Sequence, residues 1–219
     1  MPEIINTYLL TDPETAIPMN RDDFYAEQIL DFKKTGQPSR ANEIIDVFIF
    51  NTSGELLVQK RSYDKFHNPG LLDKSIGGHV RYGDTADYTV MVETVQELQT
   101  PSIVLKNKAN YNKTMILLKD YLTTIAIIQH SHTKIYNLEK LINKEKIVIA
   151  NKVHAYIGLY EGSVRPVDRE AKGILFYRLE ELDQEMASAP QTFCPDMHVL
   201  LKSLRPELDQ FIGSLNLKK

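Results

Sequence analysis

The stretch that decides the fold is "IGGHVRYGDTADYTVMVETVQELQT", residues 76–100, where two glycines and a turn precede an acidic helix. Each residue of an α-helix advances by about 100°, so Glu93 and Glu97 lie on one face together with Gln96. Oxygen-bearing side chains are the ligands that Mg²⁺ and Mn²⁺ prefer. Glutamates at this spacing are also common on solvated helix faces, so the loop before the helix decides between the two interpretations.

That loop favours a ligand site. The pair Gly77-Gly78 lets a ligand approach the backbone closely, because glycine carries no Cβ. A second turn follows at Gly83 and Asp84, and Asp84 or Thr85 can cap a helix that runs to about residue 98. A helix that is entered through glycines and turns its acids inward can hold a metal-bound diphosphate.

Composition excludes several function classes. The 219 residues carry a net charge of −3 with a pI near 6.1, which gives no basic footprint for nucleic acid. A single cysteine, Cys194, fits a reducing compartment. No apolar run is long enough to span a membrane, and the first residues do not read as a secretion signal. We therefore expect a soluble, cytoplasmic protein with no nucleic-acid or membrane partner.

The segments around the acidic helix predict an α+β fold. Residues 44–50 and 55–61 read as a hairpin closed by "NTSG", and residues 21–36 read as an amphipathic helix. Residues 115–131 fit either a helix or a strand, and Pro206 is expected to break the helical tail or to begin a new first turn. Strands interleaved with helices indicate a mixed β-sheet with helices on its faces.

Residues 78–100 resemble the Nudix box, Gly-x5-Glu-x7-Arg-Glu-U-x-Glu-Glu-x-Gly-U, where U is a bulky aliphatic residue. Gly78 stands at the first glycine, Asp84 at the first glutamate, Glu93 at the glutamate after the arginine and Glu97 at the last paired glutamate. With its flanking segments the resemblance spans roughly residues 41–183. It implies the Nudix fold, a mixed sheet sandwiched between helices (α/β/α).

The resemblance also implies an organisation of the chain. Residues 1–40 are expected to form a strand–helix extension, residues 41–185 the Nudix domain, and residues 186–219 a helical tail that packs on the core. The extension and residues 101–150 are where selectivity or homodimer contacts could be built.

The activity that the resemblance implies is metal-dependent pyrophosphohydrolysis of a small molecule that carries a diphosphate linkage. Mg²⁺ (or Mn²⁺) would be bound by Glu93, Gln96 and Glu97, and the catalytic acids would be Glu93, Glu97 and Glu170. Glu170 stands where several family hydrolases keep a carboxylate that orients water. Two departures favour the alternative, a catalytically impaired domain that binds nucleotides or diphosphates: Val92 stands for arginine and Gln96 for glutamate. Gln99 also replaces the glycine of the box.

Residues 56–84 also resemble isopentenyl-diphosphate isomerases. Those enzymes place a cysteine directly before the Gly-His pair, where this chain has Gly77, and glutamates where it has Ala150 and Lys152. Without that thiol and those acids a proton-shuttling isomerase lacks its acid and base, so we expect a hydrolase and regard isomerase activity as unlikely.

Four residues are predicted to bind substrate, and two of them have a structural alternative. Gly77 and Gly78 offer their backbone to the ligand. Arg61 could meet the phosphates, or it could be a solvated strand end. His79 could contact the metal or the phosphates, or it could be a structural histidine.

Overall fold

The computed structural model describes residues 2–167 and 171–215. Within these ranges ten strands form one sheet, with bounds β1 Ile4–Leu9, β2 Asp12–Asn20, β3 Arg40–Phe50, β4 Leu56–Arg61, β5 Leu72–Asp73, β6 Ile76–His79, β7 Ser102–Leu105, β8 Ala126–Ile142, β9 Glu145–Leu159 and β10 Ala171–Tyr177. The α-helices are α1 Arg21–Thr35, α2 Ala86–Leu98, α3 Lys108–Leu118, α4 Leu179–Ser188 and α5 Pro195–Ser214.

Strand β3 is the centre of the sheet. It pairs in parallel with β9, from Ala41 opposite Ala150 to Phe50 opposite Leu159, and antiparallel with β6 and β1. Residues 41–50 are all buried, because both faces of the strand are covered by helices. The uninterrupted β-branched and aromatic run is typical of a strand buried on both faces.

The predicted hairpin exists only at its turn. Strands β3 and β4 pair at Phe50 and Leu56, around a turn in which Gly54 has φ 79°. Beyond this point β4 pairs with β10, while β3 pairs with β9. The two strands separate because each finds a longer apolar partner elsewhere in the sheet.

Helices cover both faces of the sheet. Phe48 and Phe50 of β3 pack into the cluster that contains α5, whereas Val47 and Ile49 pack into the cluster beneath α2. A third cluster joins α1, through Phe24, to the β8–β9 hairpin and β1. The mixed sheet between helices confirms the predicted α+β class with its α/β/α layers.

Helix α2 begins and ends where the sequence indicates. The Thr85 side chain caps it by accepting a hydrogen bond from the backbone N–H of Tyr88, 3.2 Å away. Its C-cap residue, Gln99, has φ 55° and ψ 32°, the left-handed conformation that favours glycine. This backbone conformation explains why the Nudix box has glycine at the position where this chain has Gln99.

The structure resolves two segments that the sequence left open. Residues 115–131, which fit either a helix or a strand, divide between α3 and β8. Helix α5 continues through Pro206, because leucines on either side of the proline bury the inner face of the helix in the core. Within the described ranges, no helix combines the length and apolar character needed to cross a bilayer.

The three predicted chain segments contact one another closely. Strand β1 is hydrogen-bonded to β3, and α5 contributes buried side chains to the same cluster as β3. The boundaries at residues 40 and 185 remain predictions.

Candidate functional site

A cleft of about 990 Å³ opens beside β6, between α1 and α2. Every predicted site residue that the structure describes lines it: Arg61, Gly77, Gly78, His79, Glu93, Gln96 and Glu97. Glu170 lies outside the described residues. The cleft therefore brings together the glycines, the acids of α2 and the strand-end arginine, which the sequence separates by more than thirty positions.

The glycine of the box is needed for close packing against α2. A Cβ placed on Gly78 would lie 2.6 Å from Oε1 of Glu93 and 2.8 Å from its Cδ. Because real Cβ atoms do not approach other atoms so closely, a side chain here would displace the Glu93 carboxylate. The Gly78 backbone and Glu93 thus form one wall of the cleft.

The carboxylate of the second acid, Glu97, is held in place by a residue of the sheet. Gln59 of β4 donates a hydrogen bond from Nε2 to Glu97 Oε2 at 2.8 Å and also donates to the backbone oxygen of Ser75. Gln96 is more exposed than Glu93 and Glu97. Two carboxylates and an amide oxygen on one cleft wall are hard ligands that suit Mg²⁺ or Mn²⁺.

His79 is packed against α1. Its Nε2 lies 3.1 Å from the hydroxyl of Tyr25, and the two rings meet edge to face. Burial, together with the nearby Arg21 guanidinium, lowers the pKa of His79 to about 3. The imidazole is therefore neutral at physiological pH and can exchange hydrogen bonds there without carrying charge.

A buried ion network forms the floor of the cleft. It consists of three basic and three acidic side chains: Arg61, Lys74, Lys140, Asp46, Asp73 and Asp196. Lys74 Nζ lies 3.0 Å from Asp46, 3.2 Å from Asp73 and 3.7 Å from Asp196. Arg61 pairs with Asp73 at 2.9 Å and Lys140 with Asp196 at 2.7 Å. Arg61 is thus part of a buried network, and its interpretation as a solvated strand end is wrong.

The pKa values in this network show which charges are compensated. Burial raises the pKa of Asp46 to about 6, although Lys74 opposes the shift. Burial would also raise the pKa of Asp196, but the Lys140 and Lys74 ammonium groups hold it well below its usual range. The pKa of Lys74 lies well above its ordinary value, because attraction to the three aspartates outweighs burial.

Sequence reasoning did not find this network. Asp46 was the one available signal, since a lone acid in the apolar run "EIIDVFIF" must find a buried partner. Lys140 lies in the polar, lysine-rich stretch "NLEKLINKEK", yet it belongs to β8 and is 4% exposed. Cys194, remote in sequence, offers a thiol within 4.8 Å of the Asp73 and Asp196 carboxylates. Burial and these two acids raise the pKa of Cys194 well above its ordinary value.

Further basic residues line the cleft outside the network. Arg21, at the start of α1, forms a 2.6 Å ion pair with Glu3 and remains 42% exposed. Lys65 and Arg81 come from the loops on either side of β5 and β6. The cleft therefore presents basic groups at its rim and acidic groups on α2, which suits an anion that binds together with a cation.

Comparison with known proteins shows two kinds of similarity, and no family model matches the chain. An isopentenyl-diphosphate Delta-isomerase of Streptomyces coelicolor is 24% identical over 178 residues, which cover 81% of this chain and 76% of the isomerase. Another isomerase of the same name, from Serratia proteamaculans, is 23% identical over 168 residues, which cover 77% of this chain and 79% of that isomerase.

Among solved structures, DR0079 from Deinococcus radiodurans superposes on this chain with a TM-score of 0.60 and 15% sequence identity. The superposition covers 92% of this chain and 98% of the DR0079 chain. The chain therefore shares its fold with DR0079 over nearly its full length, and the mixed sheet between helices is the architecture that the box at residues 78–100 predicts.

The prediction that isomerase activity is unlikely is wrong, because four curated relatives at 23–25% identity are named isopentenyl-diphosphate Delta-isomerase. The prediction weighed a few substituted positions, such as Gly77 and Lys152, whereas the similarity extends along most of the chain. Cys194 is more than a hundred positions from Gly77 in the sequence, but its thiol lies beside the buried ion network.

Proposed function

We propose that this Nudix-fold chain is a metal-dependent pyrophosphohydrolase that acts on a small-molecule diphosphate, with Mg²⁺ or Mn²⁺ bound by Glu93, Gln96 and Glu97. The observation that carries the proposal is that these ligands line one cleft whose rim also carries the basic side chains Arg21, Lys65 and Arg81. A bound cation and fixed basic groups together match the charge and the many acceptor oxygens of a diphosphate.

The basic groups have different tasks. Arg61, Lys74 and Lys140 are compensated by buried aspartates, so they keep the floor of the cleft neutral. Arg21 and Arg81 are accessible at the rim and are assigned to the phosphates. The Arg21–Glu3 pair does not prevent this, because exposed ion pairs contribute at most about 1 kcal/mol and exchange readily.

The chemistry follows from the positions of the acids. When bound, the divalent cation would neutralise charge that develops on the bridging and leaving oxygens. Gln59 fixes the Glu97 carboxylate, and Gly78 leaves room for Glu93. In hydrolysis a water oxygen bonds to one phosphorus, its proton passes to a carboxylate, and the bond from that phosphorus to the bridging oxygen breaks. Glu170, which lies outside the described residues, is predicted to orient the attacking water.

Isomerisation of isopentenyl diphosphate is the second candidate. The names of the curated relatives favour it, and it would use the same diphosphate-binding rim. Moving a double bond requires one group that donates a proton and one that accepts a proton. Cys194 and Asp196, whose ligand atoms lie within 4.8 Å of each other, are the candidate pair in this chain.

The experiment measures both activities on one preparation. The purified chain, with Mg²⁺ or Mn²⁺, is incubated with a panel of nucleoside-diphosphate-linked compounds, and phosphate release after phosphatase treatment is recorded. Isopentenyl diphosphate is followed in parallel by proton NMR. Glu97→Gln is expected to lower kcat/KM for hydrolysis about a hundredfold. The matched control is Glu185→Gln, an exposed acid of α4 that does not line the cleft.

The outcomes separate the candidates. Hydrolysis that depends on Glu97 and not on Glu185 supports the proposal. Double-bond migration that is lost in Cys194→Ser supports the isomerase. Absence of both activities, together with metal-dependent thermal stabilisation by the same compounds, would contradict the hydrolase and the isomerase. It would support a domain that binds diphosphates without turnover.

A further inference from the structure

A second cavity, of about 240 Å³, lies between the start of α3, strand β8 and the C-terminal half of α5. It shares none of its lining residues with the cleft. Its floor is apolar, formed by Ile157 and by Phe211, whose ring packs on that of Tyr111 at 5.6 Å. Lys106 and Lys108 line its exposed rim.

Three polar groups of this cavity lack an internal partner. Among the described residues, no hydrogen-bond partner reaches Gln129 Oε1, the Tyr111 hydroxyl or Glu207 Oε2. Gln129 is 9% exposed and Tyr111 is 4% exposed. Buried polar atoms are almost always hydrogen-bonded in folded proteins. The Glu207 side chain is 43% exposed, but its Oε2 is buried, so three such atoms in one cavity indicate a polar ligand.

The chemistry of these three groups indicates which end of the ligand binds in the interior of the cavity. Gln129 Oε1 and Glu207 Oε2 can only accept hydrogen bonds, and burial raises the pKa of Tyr111 so that its hydroxyl stays protonated. A carboxylate, a carbonyl oxygen and the aromatic face of Phe211 together suit an ammonium group. The other oxygen of Glu207 lies 3.8 Å from His132 Nδ1, so the histidine does not occupy Oε2.

The rim suits the opposite charge. Lys108 is the first residue of α3, a helix of 11 residues, and Lys106 lies two residues before it. The helix dipole at this end also favours an anion. His130 lines the same cavity, and its ring nitrogen is hydrogen-bonded to Thr133 at 3.0 Å. The cavity thus has an acceptor-rich interior beneath a basic rim.

We propose that this cavity binds a small zwitterion, whose ammonium group enters between Gln129 and Glu207 and whose carboxylate or phosphate faces Lys106 and Lys108. The volume is below the roughly 300–1,000 Å³ typical of pockets for drug-sized ligands, so the ligand has the size of an amino acid. Free amino acids and amino-alkyl phosphates share this chemistry. The site is independent of the reaction in the cleft.

Isothermal titration calorimetry on the full chain tests the proposal, with the standard L-amino acids and O-phosphoethanolamine as probes. At least one probe is expected to bind with Kd below about 1 mM. Ethanolamine and inorganic phosphate, each carrying only one of the two charges, are expected to bind about tenfold more weakly or not at all. The amino-acid and phosphoethanolamine arms distinguish the two sources of the zwitterion.

Two conservative variants locate the binding. Tyr111→Phe and Glu207→Gln are each expected to raise Kd about tenfold. Lys113→Ala, an exposed α3 residue that does not line the cavity, is the matched control and is expected to leave Kd unchanged. Thermal melts establish that each variant folds, and Gln129→Leu replaces any variant that does not. The proposal is overturned if no zwitterion binds, or if both cavity variants bind as the wild type does.

Discussion

Replacing Lys74 with methionine removes the central cation of the buried ion network. The ammonium lies within 3.0–3.7 Å of three aspartates, and the side chain is 6% exposed. Removing one partner of a buried ion pair typically costs about 3–5 kcal/mol, because the remaining charge is left uncompensated. Domains of this kind unfold with about 5–15 kcal/mol, so the variant should fold with much reduced stability.

The loss should depend on pH. Asp46 already has a pKa of about 6 because of burial, and Lys74 is the main group that opposes this rise. Without Lys74 the folded-state pKa of Asp46 rises further. A carboxyl whose pKa is raised by folding stabilises the folded state below its unfolded pKa and loses this contribution as pH rises through the folded value. We therefore expect Lys74→Met to be more destabilising at pH 8 than at pH 5.

Urea denaturation followed by circular dichroism, at both pH values, measures this effect. Lys172→Met, at an exposed position of β10, is the matched control. The double variant Lys74→Met/Asp46→Asn is expected to recover part of the loss, because it removes one of the uncompensated charges. A loss below about 1 kcal/mol, or an equal loss at pH 5 and pH 8, would refute the reasoning.

Three further variants test other features. Gly78→Ala places a Cβ 2.6 Å from Glu93 Oε1 and should weaken Mn²⁺ binding about tenfold; unchanged affinity in a calorimetric titration would show that the Glu93 position is not critical. His79 has a pKa of about 3 when folded, so it contributes stability above pH 6.5 that is lost as pH falls. His79→Gln should therefore reduce the fall in unfolding free energy between pH 6.5 and 5 by about 1 kcal/mol per pH unit, and parallel wild-type and variant curves would contradict this. Gln99→Gly relieves a left-handed cap and should stabilise by up to about 1 kcal/mol; a lower melting temperature would count against cap strain.

The parts of the fold that local chemistry determines could be predicted from the sequence. Helix α2 follows from Thr85 as a cap and from the glycines before it, and α1 follows from Asn20, which caps it, and Gly36, which ends it. The departure of β3 from β4 could not be predicted, because the competing partner, β9, lies about a hundred residues away. Neither could the path of α5 through Pro206, which depends on tertiary burial.

The candidate site divides in the same way. The acids of α2 and the glycine pair could be identified because their spacing alone places them on one helix face and beside one turn. The buried ion network could not, since Asp46, Lys74, Lys140 and Asp196 come from four distant segments. The sequence around a single charged residue does not indicate which distant residue will form an ion pair with it.

The parallel pairing of β3 with β9 has a consequence for biosynthesis. Its partners are 109 positions apart, as Ala41 and Ala150 show, so the middle of the sheet cannot close until the ribosome has released most of the chain. During that interval the apolar run from Ile44 to Phe50 is not yet paired with β9, and it can aggregate or pair with other strands. We expect slow maturation, because contacts so distant along the chain delay the rate-limiting ordering step, and a nascent polypeptide that benefits from chaperone protection.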